Sequence, residues 1–304
     1  MNTALLECVP NISAGRDLSI VDAVAQSISR VPGTLLLHRT SDADHNRSVI
    51  TFAGPPDAVS KAAFAAVQQA GRLIDLTRHR GVHPRVGALD VLPFVPIQGM
   101  SLQNAIEIAW CVGERIWSEL QIPVYFYEAA ARRPERVKLE NVRRGQFEGL
   151  LAAAPLEAAR QPDIGGPGLH PSAGAVIVGA REFLIAYNIN LKSTDLQLAR
   201  SIATKIRERD GGLPGIKALG LPLLSRNLVQ VSINITAYKK TPLPAVYSEV
   251  EKLAATHGVE IEESELIGLI PRAAIDTAWV PGLKLTNFSP DRIVEMKIEQ
   301  LQQR

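Results

Sequence analysis

Cysteine is almost absent from this chain: Cys8 and Cys111 stand far apart, with no CxxC spacing and no Cys/His pairing. That argues against a disulfide scaffold and a structural zinc site, and it suits a reducing compartment. Charge of one sign is equally scarce, since 33 lysines and arginines face 31 aspartates and glutamates for a net of +2. Aromatic residues make up only 5% and do not interleave with a basic run, so no nucleic-acid partner is expected. No stretch approaches ~18 uninterrupted apolar residues, so no membrane partner is expected either. The start, Met1 to Asn11, carries Glu7 and Pro10 where a leader would have a cationic segment and an apolar run. These absences lead to the expectation of a cytoplasmic protein.

What is present is enough apolar residue for a folded protein: 46% of the 304 residues, against 21% charged. Single cores stop growing near ~250 to 300 residues, so two compact halves are expected. The first half reads as a strand near Ala4 to Cys8, then a helix with Leu18, Val21, Ala25 and Ile28 on its apolar stripe. β-rich runs follow at Thr34 to His38 and Ser48 to Ala53. A helix opens at Pro55-Pro56 and closes at Gly71, with Val59, Ala62, Ala63, Ala66, Val67 and Ala70 in one stripe. Taking Arg72 to Leu76 as a strand gives the order β-α-β-β-α-β, the split arrangement of ferredoxin-like folds. Ser101 then caps a helix to about Leu120, and Val124 to Tyr127 adds a strand.

The second half repeats that order. Phe183 to Leu191 alternates apolar residues with Ala186, Asn188 and Asn190, and Leu228 to Thr236 alternates valine and isoleucine with Gln230, Ser232 and Asn234. Between them lie a helix from Thr194 with a Thr194-to-Gln197 capping pair and a strand near Ile216 to Leu219. A helix from about Pro244 to His257, a strand from Val259 and a helix opened by Ser289-Pro290 complete the half. The expectation is an α+β fold of two ferredoxin-like-related α/β subdomains, 1–178 and 179–304, with mixed or antiparallel sheets covered by helices and a ligand cleft between them. Exposure to solvent or to a subunit interface explains the polar strand faces as well.

Three stretches hold the densest chemistry. Asp75 to Asp90, DLTRHRGVHPRVGALD, places His79 and His83 among arginines, and Gly81, Pro84 and Gly87 keep it out of a regular helix. An HxxxH metal site depends on that helix, so no metal is expected, while neighbouring guanidinium groups favour a neutral imidazole that acts as a base. Packing is the other reading of each histidine. The stretch Asp163, Ile164, Gly165, Gly166, Pro167, Gly168, Leu169, His170, Pro171, Ser172 is a binding loop or a linker turn, and it has neither phosphate-loop spacing. Ser41 to Ser48 carries Asp42, Asn46 and Arg47, which suit an α-amino acid or a pterin edge, or simply a hairpin. Arg181, Lys192 and Lys239 adjoin the polar strand faces.

Together these segments resemble the glutamate formimidoyltransferase family, including the formiminotransferase half of formiminotransferase-cyclodeaminase. The likeness lies in ECVPNIS from Glu7, NRSVITFAG from Asn46, IDLTRHRGVHPRVGALDVLPFVPI from Ile74 and PVYFYEAA from Pro123. It continues through PDIGGPGLHPSAGA from Pro162, GAREFLIAYNINL from Gly179 and, more loosely, ELIGLIP from Glu265. The resemblance implies a homodimer that moves the formimino group of N-formimino-L-glutamate to tetrahydrofolate, a co-substrate. It implies His83 as the acid/base residue and Asp163 to Ser172 as the folate-binding stretch, from whose pattern His170, Pro171 and Ala173 depart. Asp42, Asn46, Arg47, Arg85, Arg181, Asn188 and Asn190 are the remaining candidates for substrate contact. Two other readings stay open: a folate- or amino-acid-binding protein without turnover, and a metal-dependent hydrolase using His79 and His83.

Overall fold

A computed structural model describes residues 4–81 and 83–303. The chain divides into two compact units, Met1–Arg181 and Glu182–Arg304.

The first unit runs β1 (Leu5–Cys8), β2 (Asn11–Ile12), α1 (Leu18–Ser29), β3 (Leu35–Asp42), β4 (Arg47–Gly54), α2 (Pro56–Leu73), β5 (Leu89–Gln98), α3 (Leu102–Leu120), β6 (Val124–Glu128), α4 (Leu139–Val142), α5 (Gln146–Ala153) and β7 (Val176–Ala180). β1 and β2 both lie antiparallel between β4 and β5, β3 pairs with the other side of β4, and β7 and β6 extend the sheet parallel to β5. The result is a βαββαβ core lengthened by two parallel strands, within one seven-stranded sheet.

The helices form where the pattern demands them. α2 begins with Pro56, whose missing N–H is one of the unbonded groups of a first turn, and it buries the expected alanine and valine stripe. α3 is closed by a reciprocal cap: Asn104 N donates to Ser101 Oγ at 3.1 Å while Ser101 N donates to Asn104 Oδ1 at 3.0 Å. Two expectations fail in this unit. Leu18 is 54% exposed, because the first turn of α1 overhangs the core. Arg72 to Leu76 is no strand, since α2 continues through Gly71 to Leu73, and the closing strand is β5, which begins at Leu89.

The second unit runs β8 (Ile185–Leu191), α6 (Leu196–Ile206), β9 (Ile216–Leu223), β10 (Leu228–Ile235), α7 (Leu243–Ala255), β11 (Ile261–Ile267) and α8 (Val294–Gln302). Its antiparallel sheet has the order β11-β8-β10-β9, the ferredoxin-like arrangement. α6 is capped by Asp195, whose Oδ1 accepts from Gln197 N at 2.8 Å, rather than by Thr194 as the capping pair suggested. Ser289-Pro290 opens only a short 3-10 turn, Pro290–Arg292, before α8. Among the described residues no helix is long and apolar enough to cross a membrane.

One contact fixes the geometry of the first unit's loops. Gly174 has φ +72°, and a Cβ there would stand 2.0 Å from the Val86 carbonyl oxygen. Gly174→Ala is therefore expected to destabilise the protein by at least ~2 kcal/mol in urea unfolding. Gly211→Ala, with a similar φ of +89° and nothing within 4 Å, should cost only about 1 kcal/mol. Equal effects would show that the close approach to Val86 carries no weight.

Candidate active site

The segment Asp75 to Asp90 leaves α2, stays irregular past His83 and enters β5 at Leu89. It is held on both sides by backbone bonds to the glycine-rich loop: Leu76 N donates to Ser172 O at 2.8 Å, Ala88 N to Ala173 O at 2.9 Å, and Ala175 N to Val86 O at 3.1 Å. Two stretches far apart in sequence thus form one unit, and the β3–β4 turn closes against it. Asn46, in the left-handed region at φ 48°, is the pin. Its Oδ1 accepts from Gly15 N at 3.0 Å and its Nδ2 donates to Arg80 O at 3.0 Å.

The two histidines of the segment have different lives. His79 is buried with both nitrogens committed: Nδ1 accepts from Arg85 Nε at 3.0 Å, which leaves Nε2–H to donate to Asn46 O at 3.0 Å. A metal on His79, as the hydrolase reading requires, would have to displace Arg85 Nε from Nδ1 or Asn46 O from Nε2. Arg85 is buried as well and makes a two-pronged pair with Glu148, at 2.6 and 3.0 Å. The Arg85 guanidinium holds the Glu148 carboxyl below the usual range. A cavity of 430 Å³ opens beside this pair, lined by Thr77, His79, Arg80, Gly81, Arg85, Phe147 and Glu148.

His83 is half-buried, and its Nε2 is buried without a hydrogen-bond partner among the described residues. The same holds for Nε of Arg47 and Nε of Arg143. Arg47 is anchored by one Nη on Asn11 Oδ1, and Arg143 by an ion pair to the buried carboxylate of Asp90. Asp90 also accepts from Val86 N at 2.6 Å and Gly87 N at 3.3 Å, tying Arg143 to the segment that carries His83. On the outer side the His45 ring stands edge to face with His83, centroids 6.1 Å apart, and its Nδ1 lies 2.8 Å from Asp42 Oδ2.

Electrostatics follow from this crowding. Burial, then Arg47 and Arg143, pull the His83 imidazole down to about 3, so it is neutral throughout the neutral range. Burial and the neighbouring Arg143 lower Arg47 to about 10, which leaves it charged. The backbone N–H of His45 is the main reason that Asp42 stays below the ordinary carboxylate range. For His83 the unfolded chain binds the proton below 6.5 and the folded protein does not, so stability falls as pH drops below 6.5 and continues to fall toward 3. Between pH 6 and 4 the wild type should lose stability more steeply than His83→Gln, by about 1.4 kcal/mol per pH unit in denaturant titrations. Parallel curves would mean that the ring takes up its proton in place.

Of the residues expected from sequence, Asp42, Asn46, Arg47 and His83 come together here. The loop Asp163 to Ser172 joins them through its end. Its Asp163 carboxylate is buried, paired with Arg136 at 2.6 Å and accepting from Phe126 N at 2.8 Å, and Leu169 packs in the core. His170 Nδ1 accepts from Ala173 N at 3.0 Å, a turn-closing role, while Gly166, Pro167 and Pro171 are exposed. Arg181 follows β7 and bonds the Tyr127 side chain, on which Arg143 also acts. In the second unit Asn188 is half-buried. Asn190 is fully buried, donates to Glu263 and Glu265 at 3.1 Å each and accepts from Gln230 at 2.9 Å. Lys192 and Lys239 pair with Glu260 and Glu182. Sequence reasoning missed Asn11, His45, Asp90 and Arg143 as site residues. Asn11 and Asp90 sit inside the quoted motifs and His45 in the stretch Ser41 to Ser48, whereas nothing in LENVRRG singles out Arg143.

The chain is similar to known proteins over nearly its whole length. The model of the formiminotransferase domain, N-terminal subdomain, matches residues 5–181, and that of the formiminotransferase domain matches residues 186–301. A glutamate formimidoyltransferase of Thermoplasma acidophilum is 42% identical over 98% of this chain and 98% of its own length. One from Streptococcus pyogenes serotype M1 is 43% identical over 90% of this chain and 92% of its own. The formimidoyltransferase-cyclodeaminase of Rattus norvegicus is 41% identical over 90% of this chain but only 52% of its own length. With both subdomain models matched in order across nearly the whole sequence, the chain belongs to the formiminotransferase family.

Proposed function

We propose that this protein transfers the formimino group of N-formimino-L-glutamate to N5 of tetrahydrofolate, giving 5-formiminotetrahydrofolate and L-glutamate. N5 attacks the amidine carbon, a tetrahedral intermediate forms, and its collapse breaks the bond from that carbon to the glutamate nitrogen. The attacking nitrogen loses one proton and the departing nitrogen gains one. His83 carries it from the first to the second, as a neutral imidazole can. The observation that supports this reading is the unpartnered Nε2 of His83 beside two guanidinium groups that each have an unpartnered Nε, a proton acceptor next to a setting for an anionic substrate group. Arg47 would meet a substrate carboxylate, and the exposed crest of Asp163 to Ser172 would meet the folate, with Asp163 itself and Leu169 supporting the loop from within. Arg85 in this reading holds His79 and Glu148 in place.

The protein further acts as a cytoplasmic homodimer in this reading, to be checked by sedimentation. Calorimetry with folinate alongside a turnover assay with N-formimino-L-glutamate and tetrahydrofolate tests the activity. Micromolar binding with release of L-glutamate is expected. Binding without any release would instead favour the non-catalytic binding protein.

A further inference from the structure

Three buried nitrogens without partners in one place are unusual. Buried polar groups are paired in the great majority of cases, and an unpaired buried charge is the more costly kind. Arg47, on β4, and Arg143, just after α4, each use one Nη to hold a fixed acceptor, Asn11 for the first and Asp90 for the second. Asp90 is 2% exposed, and its other oxygen is taken by two backbone N–H groups. Its carboxylate therefore fixes Arg143 without being free to serve Arg47. Two guanidinium groups and the His83 ring thus share a buried space, with Asp90 tied to one of them and Asp42 bonded to His45. Asp90 and Asp42 act on these arginines, yet both Nε atoms lack an acceptor, and a carboxylate supplies one in the geometry that a guanidinium fork prefers.

We propose that Arg143, positioned by Asp90, forms with Arg47 a carboxylate clamp, and that seating the donor's carboxylate in it is what allows His83 to take up a proton. The identity of the carboxylate rests on the transferase reading, while the clamp itself does not. In the free protein the groups facing His83 are Arg47 from β4, Arg143 from the α4 side and His45 from the β3–β4 turn, with Asp42 of that turn opposing them and Asp90 of β5 paired to Arg143. An anion between the arginines reverses that balance. The base is then switched on only when its substrate is in place, and Arg143 is a positioning residue for the proton step as well as a ligand.

NMR of the His83 ring, assigned by its absence in His83→Gln, tests this on the wild-type protein with L-glutamate as the probe. Saturating L-glutamate should raise the ring's titration midpoint by at least one pH unit, a tenfold gain in proton affinity. An unchanged midpoint with L-glutamate bound overturns the proposal. Arg143→Gln should raise the midpoint of the free protein, weaken L-glutamate binding at least tenfold and raise KM for the donor more than it lowers kcat. Arg143→Lys should keep the wild-type midpoint yet lose affinity, because it retains the charge and loses the fork. Turnover with Arg143→Gln kinetics matching the wild type sinks the clamp and leaves the transferase reading standing. A shifted midpoint in a protein that never transfers the formimino group supports the clamp and sinks that reading.

Discussion

Replacing His83 by Gln is expected to lower kcat for formimino transfer by ~10²- to 10⁴-fold, the range for one placed proton-transfer group. Folinate affinity should stay within a few-fold of wild type, because the imidazole makes no hydrogen bond through Nε2 to any described residue that would hold the site in shape. The remaining rate reflects the two substrates being held together, which His83 does not govern. The sequence places this histidine in a bend kept irregular by Gly81, Pro84 and Gly87, and the fold brings Arg47 and Arg143 to act on its ring. A correctly folded variant with normal turnover would remove His83 from the mechanism.

The second large effect is on stability. Asp90 neutralises Arg143 where both are nearly inaccessible, their side chains 3% and 12% exposed. Asp90→Asn leaves that guanidinium uncompensated, and breaking one side of a buried pair costs about 3–5 kcal/mol. For a protein of this size the melting temperature should fall by roughly 10 °C. It should also weaken the bonds from Val86 N and Gly87 N, since an amide oxygen is a poorer acceptor than a carboxylate, loosening the segment next to His83. Calorimetric melting checks the first effect and amide exchange at Val86 and Gly87 the second. A loss under ~1 kcal/mol would mean that Arg143 finds another anion in the folded protein.

The legible parts of the fold were those whose pattern has one cause. The α2 stripe and the alternation of β8 and β10 each record a single buried face, and the matching order of elements in the two halves follows from them. β5 was illegible for the opposite reason. It sits inside the sheet with Leu89 to Val95 buried throughout, so it shows no alternation, and Pro93 and Pro96 argue against a central strand. Its place in the pattern falls to Arg72 to Leu76, because Gly71 reads as a helix stop that α2 runs past to Leu73. Thr194 lost the α6 cap to Asp195 by one position, well inside what capping patterns resolve.

The site divides in the same way. His83, Asn46 and Arg47 stand in stretches dense enough in polar residues to draw notice. Whether such a residue has partners is a matter of distant contacts, which local composition does not record. Arg85 and Asp163 read as ligand contacts but are bound to Glu148 and Arg136. Asn190 read as a cleft residue but is saturated by Glu263, Glu265 and Gln230. Arg143 gave no sign, since its importance comes from Asp90, 53 positions away in the chain.

The most direct test follows the transferred carbon. With N-formimino-L-glutamate labelled with ¹³C at the formimino carbon, tetrahydrofolate and the wild-type protein, each L-glutamate released should be matched by one labelled carbon bonded to N5 of the folate. Label found in a product of water attack, or glutamate released without tetrahydrofolate, would contradict transfer between the two nitrogens.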